Sequence, residues 1–493
     1  MNVKFKEEDN MSFVNGMDTM ASVKSTENGA LAYNSTGGGA LLDFFAVVGG
    51  MRKRDEADIV QMYHAARKED KELADKIVLY SRDVRGVGLG ERRIGKILLK
   101  ALAYIDHAKV ERNFQTFVEN GRFDDLYVLE GTPAETAMWQ FMKDTLLKDA
   151  AAMKAGKPIT LAAKWMKSIN TSSAESKRLA RKFCTIAGLS ERTYRKTLAA
   201  LRKYSNVVEV KMSSNQWEAI NFEAVPSLAM KRYSTAFGKH CPNAFTQYKR
   251  DLTTGEAKVN AATLYPYDIT HQFMYGSCRD EEIAQAQWDA LPNFFKEGRN
   301  VVCCADVSGS MSWGGGMAMA ASVGLAMYCA RYNTGAYQGY YMTFTDIPRF
   351  HKLDESKGIK KNIQEVMSHV GYSTNLDGCL AEIFRVATME NDAPEALLIV
   401  SDEEIDLFMN RCPHWEDIVQ KWVRKYREVG LECPKIIFWN VNARQNTYLA
   451  RHDNSYAGFV SGCSAGTFAN LSELIDNSPY EAMVKILNQY EFV

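Results

Sequence analysis

The sequence predicts a multidomain protein, a mainly α-helical region joined at about residue 298 to a doubly wound α/β domain. Before that point apolar residues recur at helical spacing, with Ile59, Met62, Tyr63 and Ala66 at i, i+3, i+4 and i+7, and Leu98, Leu99, Leu102 and Ile105 at similar intervals. After it, short apolar runs that read as buried strands alternate with helical stretches. Charge divides the same way: residues 151–250 hold 19 Lys and Arg against 5 Asp and Glu, whereas residues 301–493 hold 16 against 23. A formal net charge of zero thus hides a basic middle, net +14, and an acidic C-terminal part, net −7.

Residues 1–40 are polar and end in Asn34-Ser35-Thr36-Gly37-Gly38-Gly39, the composition of a flexible arm. Residues 41–297 carry the helices. Between two of them lies Arg82-Asp83-Val84-Arg85-Gly86-Val87-Gly88-Leu89-Gly90-Glu91-Arg92-Arg93. No strand precedes this glycine-rich run, and it has neither dinucleotide spacing nor a Gly-Lys-Ser/Thr ending, so it reads as a connector rather than a phosphate loop. Arg85, Arg92 and Arg93 are left to face a partner.

The basic middle has its own order. Ser172 and Glu175 form a capping-box pattern, and Ser190 is an N-cap candidate after Gly188-Leu189. On the first helix Arg178, Arg181 and Lys182, beside Lys177, make a cationic stripe; on the second Arg192, Arg195, Lys196 and Lys203 share a face. Like charges at this spacing repel, so the stripes ask for counter-charge from a phosphate backbone or an acidic neighbour. Lys231-Arg232-Tyr233 and Gln247-Tyr248-Lys249-Arg250 mix basic and aromatic groups, which suits stacked single-stranded bases and equally suits tyrosines that pack a core. A basic excess of this size points to a polyanion, with nucleic acid the expected one.

In residues 298–493 the expected strands are Val301–Ala305, Tyr340–Phe344, Ala396–Val400, Ile436–Trp439 and Gly458–Val460, with helices at Ala318–Arg331, Leu376–Thr388 and Trp415–Glu428. In doubly wound sheets ligands sit beyond the carboxyl ends of strands. There Asp306-Val307-Ser308-Gly309-Ser310 offers one carboxylate and two hydroxyls, oxygen ligands suited to a hard divalent cation. Tyr372-Ser373-Thr374-Asn375 and Ser401-Asp402 supply matching oxygens at two further loops. Glu403, Glu404 and Asp406 read as a solvated loop rather than an enlarged acidic rim. Lys421, Arg424, Lys425 and Arg427 on one helix are partly cancelled by Glu416, Asp417 and Glu428.

Hydrolytic chemistry finds no support in these residues. Ser308 and Ser310 have no nearby histidine, and Ser308 stands where an aspartyl phosphatase needs a second Asp. Gly462-Cys463-Ser464-Ala465-Gly466 matches Gly-x-Ser-x-Gly, but no histidine follows to complete the order of a hydrolase triad. His351, His369, His414 and His452 follow no ligand spacing and read as surface or packing residues. No catalysis is expected. The 493 residues, 46% hydrophobic and 24% charged, suffice for two or three domains without staples. Ten cysteines without a CxxC signal neither a disulfide framework nor a zinc knuckle, so the expected compartment is reducing. No apolar stretch of about 18 residues could span a bilayer, and no signal core opens the chain. A cytoplasmic protein is expected.

Asp306-Val307-Ser308-Gly309-Ser310, then Ser373-Thr374-Asn375, then Ser401-Asp402 resemble the Asp-x-Ser-x-Ser, Thr and Asp elements of a metal-ion-dependent adhesion site (MIDAS) in a von Willebrand factor A domain. The resemblance implies that Asp306, Ser308, Ser310, Thr374 and Asp402 hold Mg²⁺ or Mn²⁺, and that the ion accepts a carboxylate from a protein partner. Tyr372-Ser373 departs from the Gly-Gly of many family members. Leu161-Ala-Ala-Lys-Trp165, Arg178-Leu-Ala-Arg-Lys182, Gly188-Leu-Ser-Glu-Arg192, Val207-Val208-Glu209 and Val225-Pro-Ser-Leu-Ala-Met-Lys-Arg-Tyr233, with Gly121-Arg-Phe-Asp-Asp125 upstream, resemble an uncharacterised family that joins a helical region to such a domain. That family is similar to the TROVE proteins typified by the Ro autoantigen. The implication is a HEAT-like α-helical repeat ring or horseshoe that binds small structured RNA or single-stranded RNA ends, in a ribonucleoprotein, through Arg85, Arg92, Arg93, Lys177, Arg178, Arg181, Lys182, Arg192, Arg195, Lys196, Lys203, Lys231 and Arg232. A single chain can close a ring, so a monomer is expected, without a membrane partner. The alternative is a metal-dependent protein–protein assembly factor without RNA.

Overall fold

The computed structural model describes residues 23–26, 29, 31–295, 298–371, 373–404 and 415–493, without the side chains of 415–417. They divide into two compact units. One holds the described residues up to Ile77, Tyr265–Ser277 and Asn293–Gln489; the other holds Val78–Leu264, Cys278–Pro292 and Tyr490–Val493. The chain therefore combines a mainly helical unit with an α/β unit. The division does not follow the expected boundaries at 40/41 and 297/298.

In the α/β unit β1 (Val23–Ser25) pairs antiparallel with β2 (Leu31–Tyr33). Six further strands, β3 (Val301–Asp306), β4 (Tyr340–Phe344), β5 (Arg349–Lys352), β6 (Ala396–Ser401), β7 (Lys435–Asn440) and β8 (Ala457–Ser461), form one sheet in the order β5-β4-β3-β6-β7-β8. All neighbours are parallel except the β4–β5 pair. Every residue of β3, β6, β7 and β8 is buried. Parallel strands covered on both faces read as continuous apolar runs, which is why they could be found without structure. β5 could not, because Arg-Phe-His-Lys is a short, polar edge strand.

The helix Met317–Tyr332 explains why distant segments join this unit. Its residues Ala318 to Ala330 are all buried, so it needs cover on every side. It packs on β3 and β4, and the helix Pro266–Met274 lies against it as well. There Thr270 Oγ1 donates to Ala320 O at 2.7 Å, and a Cβ on Gly324 would come within 3.1 Å of Pro266. Likewise the helix Ala40–Val47 buries six residues and packs against β8. Tyr33 and Tyr448 exchange backbone hydrogen bonds of 2.8 and 3.1 Å, and His452 N–H donates to Thr36 O at 2.8 Å. Residues 31–38 are thus no free arm, because strand pairing and buried Ala32 and Tyr33 fix them.

His351 on β5 is a packing histidine, 5% exposed, with Nε2 3.1 Å from Thr343 Oγ1 and its ring 5.4 Å from that of Tyr341. Burial first, then His369 and Arg349, lowers its pKa from 6.5 to about 4. The unfolded chain binds this proton between pH 6.5 and 4 while the folded one does not, so the group costs stability progressively as pH falls through that window. Replacing His351 with Gln is expected to flatten the acid limb of the stability profile, by about 1–3 kcal/mol at its lower end. An unchanged difference between pH 7 and pH 4 in urea unfolding would refute it.

The helical unit packs around aromatic side chains. Phe183 lies 6.2 Å from Trp139 and 5.3 Å from Tyr194 between ring centroids. A second cluster gathers Phe222, Phe237, Phe245 and Tyr248. The helix Ala174–Ala187 is capped by Ser173, whose side chain accepts from Ser176 N, one residue beyond the expected Ser172. Ser190 caps the helix Glu191–Tyr204 as expected. The run 82–93 is a connector between the helices Lys71–Arg82 and Arg92–Ile105, tightened by Asp83, which accepts from the backbone of Arg85, Gly86 and Gly88.

Candidate functional site

The candidate metal ligands collect at the carboxyl ends of β3, β4 and β6. β3 ends at Asp306 and β6 at Ser401, paired in parallel from Val301–Ala396 to Ala305–Val400, so the loops that follow leave side by side. Asp306 is fully buried; its Oδ1 accepts from Ser308 N at 2.9 Å and its Oδ2 from Ser401 Oγ. Ser308 and Ser310 hydroxyls lie 3.2 Å apart, and Ser310 Oγ is 3.4 Å from Asp402 Oδ1. Asp306 pairs with Phe344 at the end of β4. The loop carrying Thr374 is fastened there too, since Asn375 Nδ2 donates to Asp346 O at 3.2 Å and Gly371 abuts Thr345 and Asp346. Thr374 is buried. Tyr372, Asp406 and His414 lie outside the described residues.

The electrostatics are those of a place short of positive charge. Burial first, then the neighbouring Asp402, pushes the Asp306 carboxyl up to about 7. Glu403 and Glu404, expected in a solvated loop, are instead buried at 4% and 3% exposure, because the turn after β6 folds inward with Glu403 at φ 63°. Burial pushes Glu403 up to about 8. Non-glycine backbone in that region costs about 1–3 kcal/mol and needs tertiary support, here a bond from Glu403 N to Ser401 Oγ of 3.0 Å. Sequence reasoning missed Arg444, which donates to Asp402 Oδ2 at 3.1 Å and lies 5.8 Å from the ring of Trp313. Nothing near Arg444 in sequence signals this. Trp313 itself is 68% exposed.

The carboxylates of Asp306 and Asp402 and the hydroxyls of Ser308 and Ser310 are hard oxygen donors of the kind that Mg²⁺ or Mn²⁺ takes, with Thr374 buried in the neighbouring loop, and crowded carboxylates are what such a cation relieves. No group of three or more His, Cys, Asp or Glu arranged for a metal is found among the described residues, a class this hydroxyl-rich set falls outside.

The basic residues have divided fates. Arg178 is paired with Glu130 and Glu175, Lys182 with Glu130 and Glu135, Arg181 with Glu191, and Arg92 with Asp124 and Asp125. These are the acidic neighbours that the stripe spacing allowed for. Arg93 also has a partner. By contrast Arg192, Lys196 and Lys203 are exposed on the helix Glu191–Tyr204, and no carboxylate pair is found for them among the described residues; Arg195 reaches only Asn170 Oδ1 at 3.3 Å. Arg85, Lys231 and Arg232 are exposed, and Lys177 is half-buried. Tyr248 belongs to the core, its hydroxyl donating to Lys258 O at 3.0 Å, and Tyr233 packs against the same cluster. Core packing is the role these contacts give both tyrosines. Lys421 is tied to Asp377 at 2.8 Å.

Fold and site together define a helical unit coupled in one chain to an α/β unit whose oxygen-rich loops meet at the carboxyl edge of a largely parallel sheet. Residues 176–298 match the model of a domain of unknown function, DUF2828, and residues 300–478 match another, DUF7788. The chain is also similar to the "Uncharacterized protein L728" of Acanthamoeba polyphaga mimivirus, 27% identical over 515 residues that cover 96% of this chain and 88% of that protein. No helix among the described residues is long and apolar enough to cross a membrane.

Proposed function

We propose that the protein is an RNA-binding scaffold of the Ro ribonucleoprotein type. Its helical unit, as a repeat-built ring or horseshoe, takes small structured RNA or single-stranded ends. Its α/β unit, read as a von Willebrand factor A domain, carries a Mg²⁺ adhesion site for a partner carboxylate. The observation that carries the RNA reading is the exposed face of Arg192, Arg195, Lys196 and Lys203, cations with no carboxylate ion pair among the described residues. Such a face attracts a phosphate backbone with a steep salt dependence. Fluorescence anisotropy with labelled RNA in rising salt tests it. Replacing Arg192, Lys196 and Lys203 with Gln is expected to weaken binding and to flatten the log–log salt slope by about one for each phosphate no longer engaged. Parent protein that fails to bind RNA at low salt would overturn the reading.

The second reading, a metal-dependent protein assembly factor without RNA, is favoured by Trp313, which stands exposed beside Arg444, the partner of Asp402, as an apolar contact for a protein partner.

A further inference from the structure

The helical unit contains a cavity of about 510 Å³ whose chemistry the proposed RNA-binding face does not use. Four cations line it: Arg122, Lys164, Arg202 and Arg232. None of the four has a carboxylate ion pair among the described residues. Arg202 donates hydrogen bonds to neutral acceptors, Ala163 O at 2.8 Å, Ser168 Oγ at 2.8 Å and Met166 O at 2.7 Å, and Glu209 across the cavity lining is the carboxylate that acts on its charge. The Arg122 guanidinium carbon lies 4.8 Å from the Trp165 ring centroid, the stacked posture that leaves its N–H groups free to turn to a ligand. Behind Arg122, Arg82, Arg92 and Lys96 share Asp124 and Asp125 as their carboxylate partners among the described residues. Burial, then Arg82 and Arg92, disfavours the Arg122 cation, a tension that an incoming anion relieves.

The remaining wall is of another kind. Val210, Pro226, Leu228 and Ala229 give an apolar face. One acid lies among them, Glu209, whose Oε1 accepts from Tyr233 at 3.1 Å while its buried Oε2 has no hydrogen-bond partner. A buried acceptor without a donor costs about 1–3 kcal/mol, so a ligand that brings an N–H would be selected. Cations for an anion, an apolar wall for a flat body and an acceptor that lacks an N–H together suit a nucleotide, and the volume lies in the range of small-ligand pockets.

We infer that this cavity binds a single nucleotide, its phosphate held by Arg122 and Arg232, its base against Pro226 and Leu228, and an amine of the base donating to Glu209. The inference rests on the RNA-binding reading only for one of its two sources, a strand end rather than a free nucleotide.

Calorimetry on the full chain tests it with adenosine 5′-monophosphate, adenosine, and a hexa-adenylate oligoribonucleotide with and without a 5′-phosphate. The monophosphate or the phosphorylated oligonucleotide should bind at least about tenfold tighter than its unphosphorylated form. Arg122→Gln and the exposed Arg232→Gln should each cost about tenfold. Replacing Arg192 and Lys196 with Gln should leave monophosphate binding unchanged. A preference for the phosphorylated strand marks an RNA end as the source, and binding of the monophosphate alone marks a free nucleotide; either supports the pocket. The inference is overturned if phosphate gives no advantage, or if Arg122→Gln and Arg232→Gln, folded by circular dichroism, bind as the parent does. RNA binding that survives those nulls and depends on Arg192 and Lys196 would leave the broader reading standing. Monophosphate binding without RNA binding would do the reverse.

Discussion

Asp306→Ala is expected to abolish divalent-ion binding while leaving the helical unit folded and the RNA affinity proposed for it intact. Mg²⁺ gives up water reluctantly and is held through charged oxygens. Asp306 and Asp402 are the two carboxylates of the candidate set, and Asp402 already spends one oxygen on Arg444. Without Asp306 the loops keep hydroxyls and one partly compensated charge, so affinity should fall at least about 100-fold by calorimetry. Asp306→Asn sharpens the test. In the ion-free protein the Asp306 pKa is raised from 3.8 to about 7, so the folded state keeps a proton that the unfolded chain releases between those values. Ion-free stability therefore falls as pH rises through that window, and the neutral amide should remove this loss. In the parent, Mg²⁺ at about 100 times its dissociation constant should restore roughly 2.7 kcal/mol at neutral pH, and in Asp306→Asn it should restore nothing. A calorimetric trace for Asp306→Ala that matches the parent would sink the metal assignment.

Gly49→Ala is expected to be among the most destabilising single substitutions in the chain. Gly49 passes against the end of β8, its N–H donating to Ser461 Oγ at 2.9 Å. A Cβ there would stand 2.6 Å from Gly462 N and from Ser461 C, and 2.7 Å from Gly462 Cα. Those atoms are backbone and have no rotamer to escape into. The helix Ala40–Val47 and its buried Leu41, Leu42, Phe44 and Phe45 would have to lift from the sheet. Overpacking of this kind costs roughly 3 kcal/mol. Gly238, within the helix Ser227–His240, has nothing within 4 Å of its would-be Cβ. Gly238→Ala should therefore stabilise by up to about 1 kcal/mol through helix propensity alone. Equal urea midpoints for the two variants would show that the approach to β8 does not constrain the fold.

The parts legible in the sequence were those in which neighbouring residues carry the signal. Val-Val-Cys-Cys-Ala and Ala-Leu-Leu-Ile-Val announce buried parallel strands because both faces are covered, and Trp415–Glu428 is a helix with the expected ends. The Asp306 loop was legible for the same reason, three oxygens within five residues at a strand end. Arg444, β5 and the inward turn of Glu403 were not, since a lone arginine, a polar edge strand and a backbone angle have no local pattern. The charge count also misled in part. Glu130 lies 48 and 52 residues from Arg178 and Lys182, whose charge it takes up, so a segment's excess does not tell which cations remain available.

By itself, the sequence determined the helical and α/β textures, the sheet's central strands, the oxygen-rich loops and the basic middle, all of which follow from local periodicity and composition. Only tertiary structure decided that residues 31–77 and 265–277 belong to the α/β unit, because an all-buried helix and the β8 edge need cover from wherever the chain can bring it. It alone decided which cations are spent on internal carboxylates and which line a cavity beside Trp165, since pairing depends on distances in space that separation along the chain does not encode.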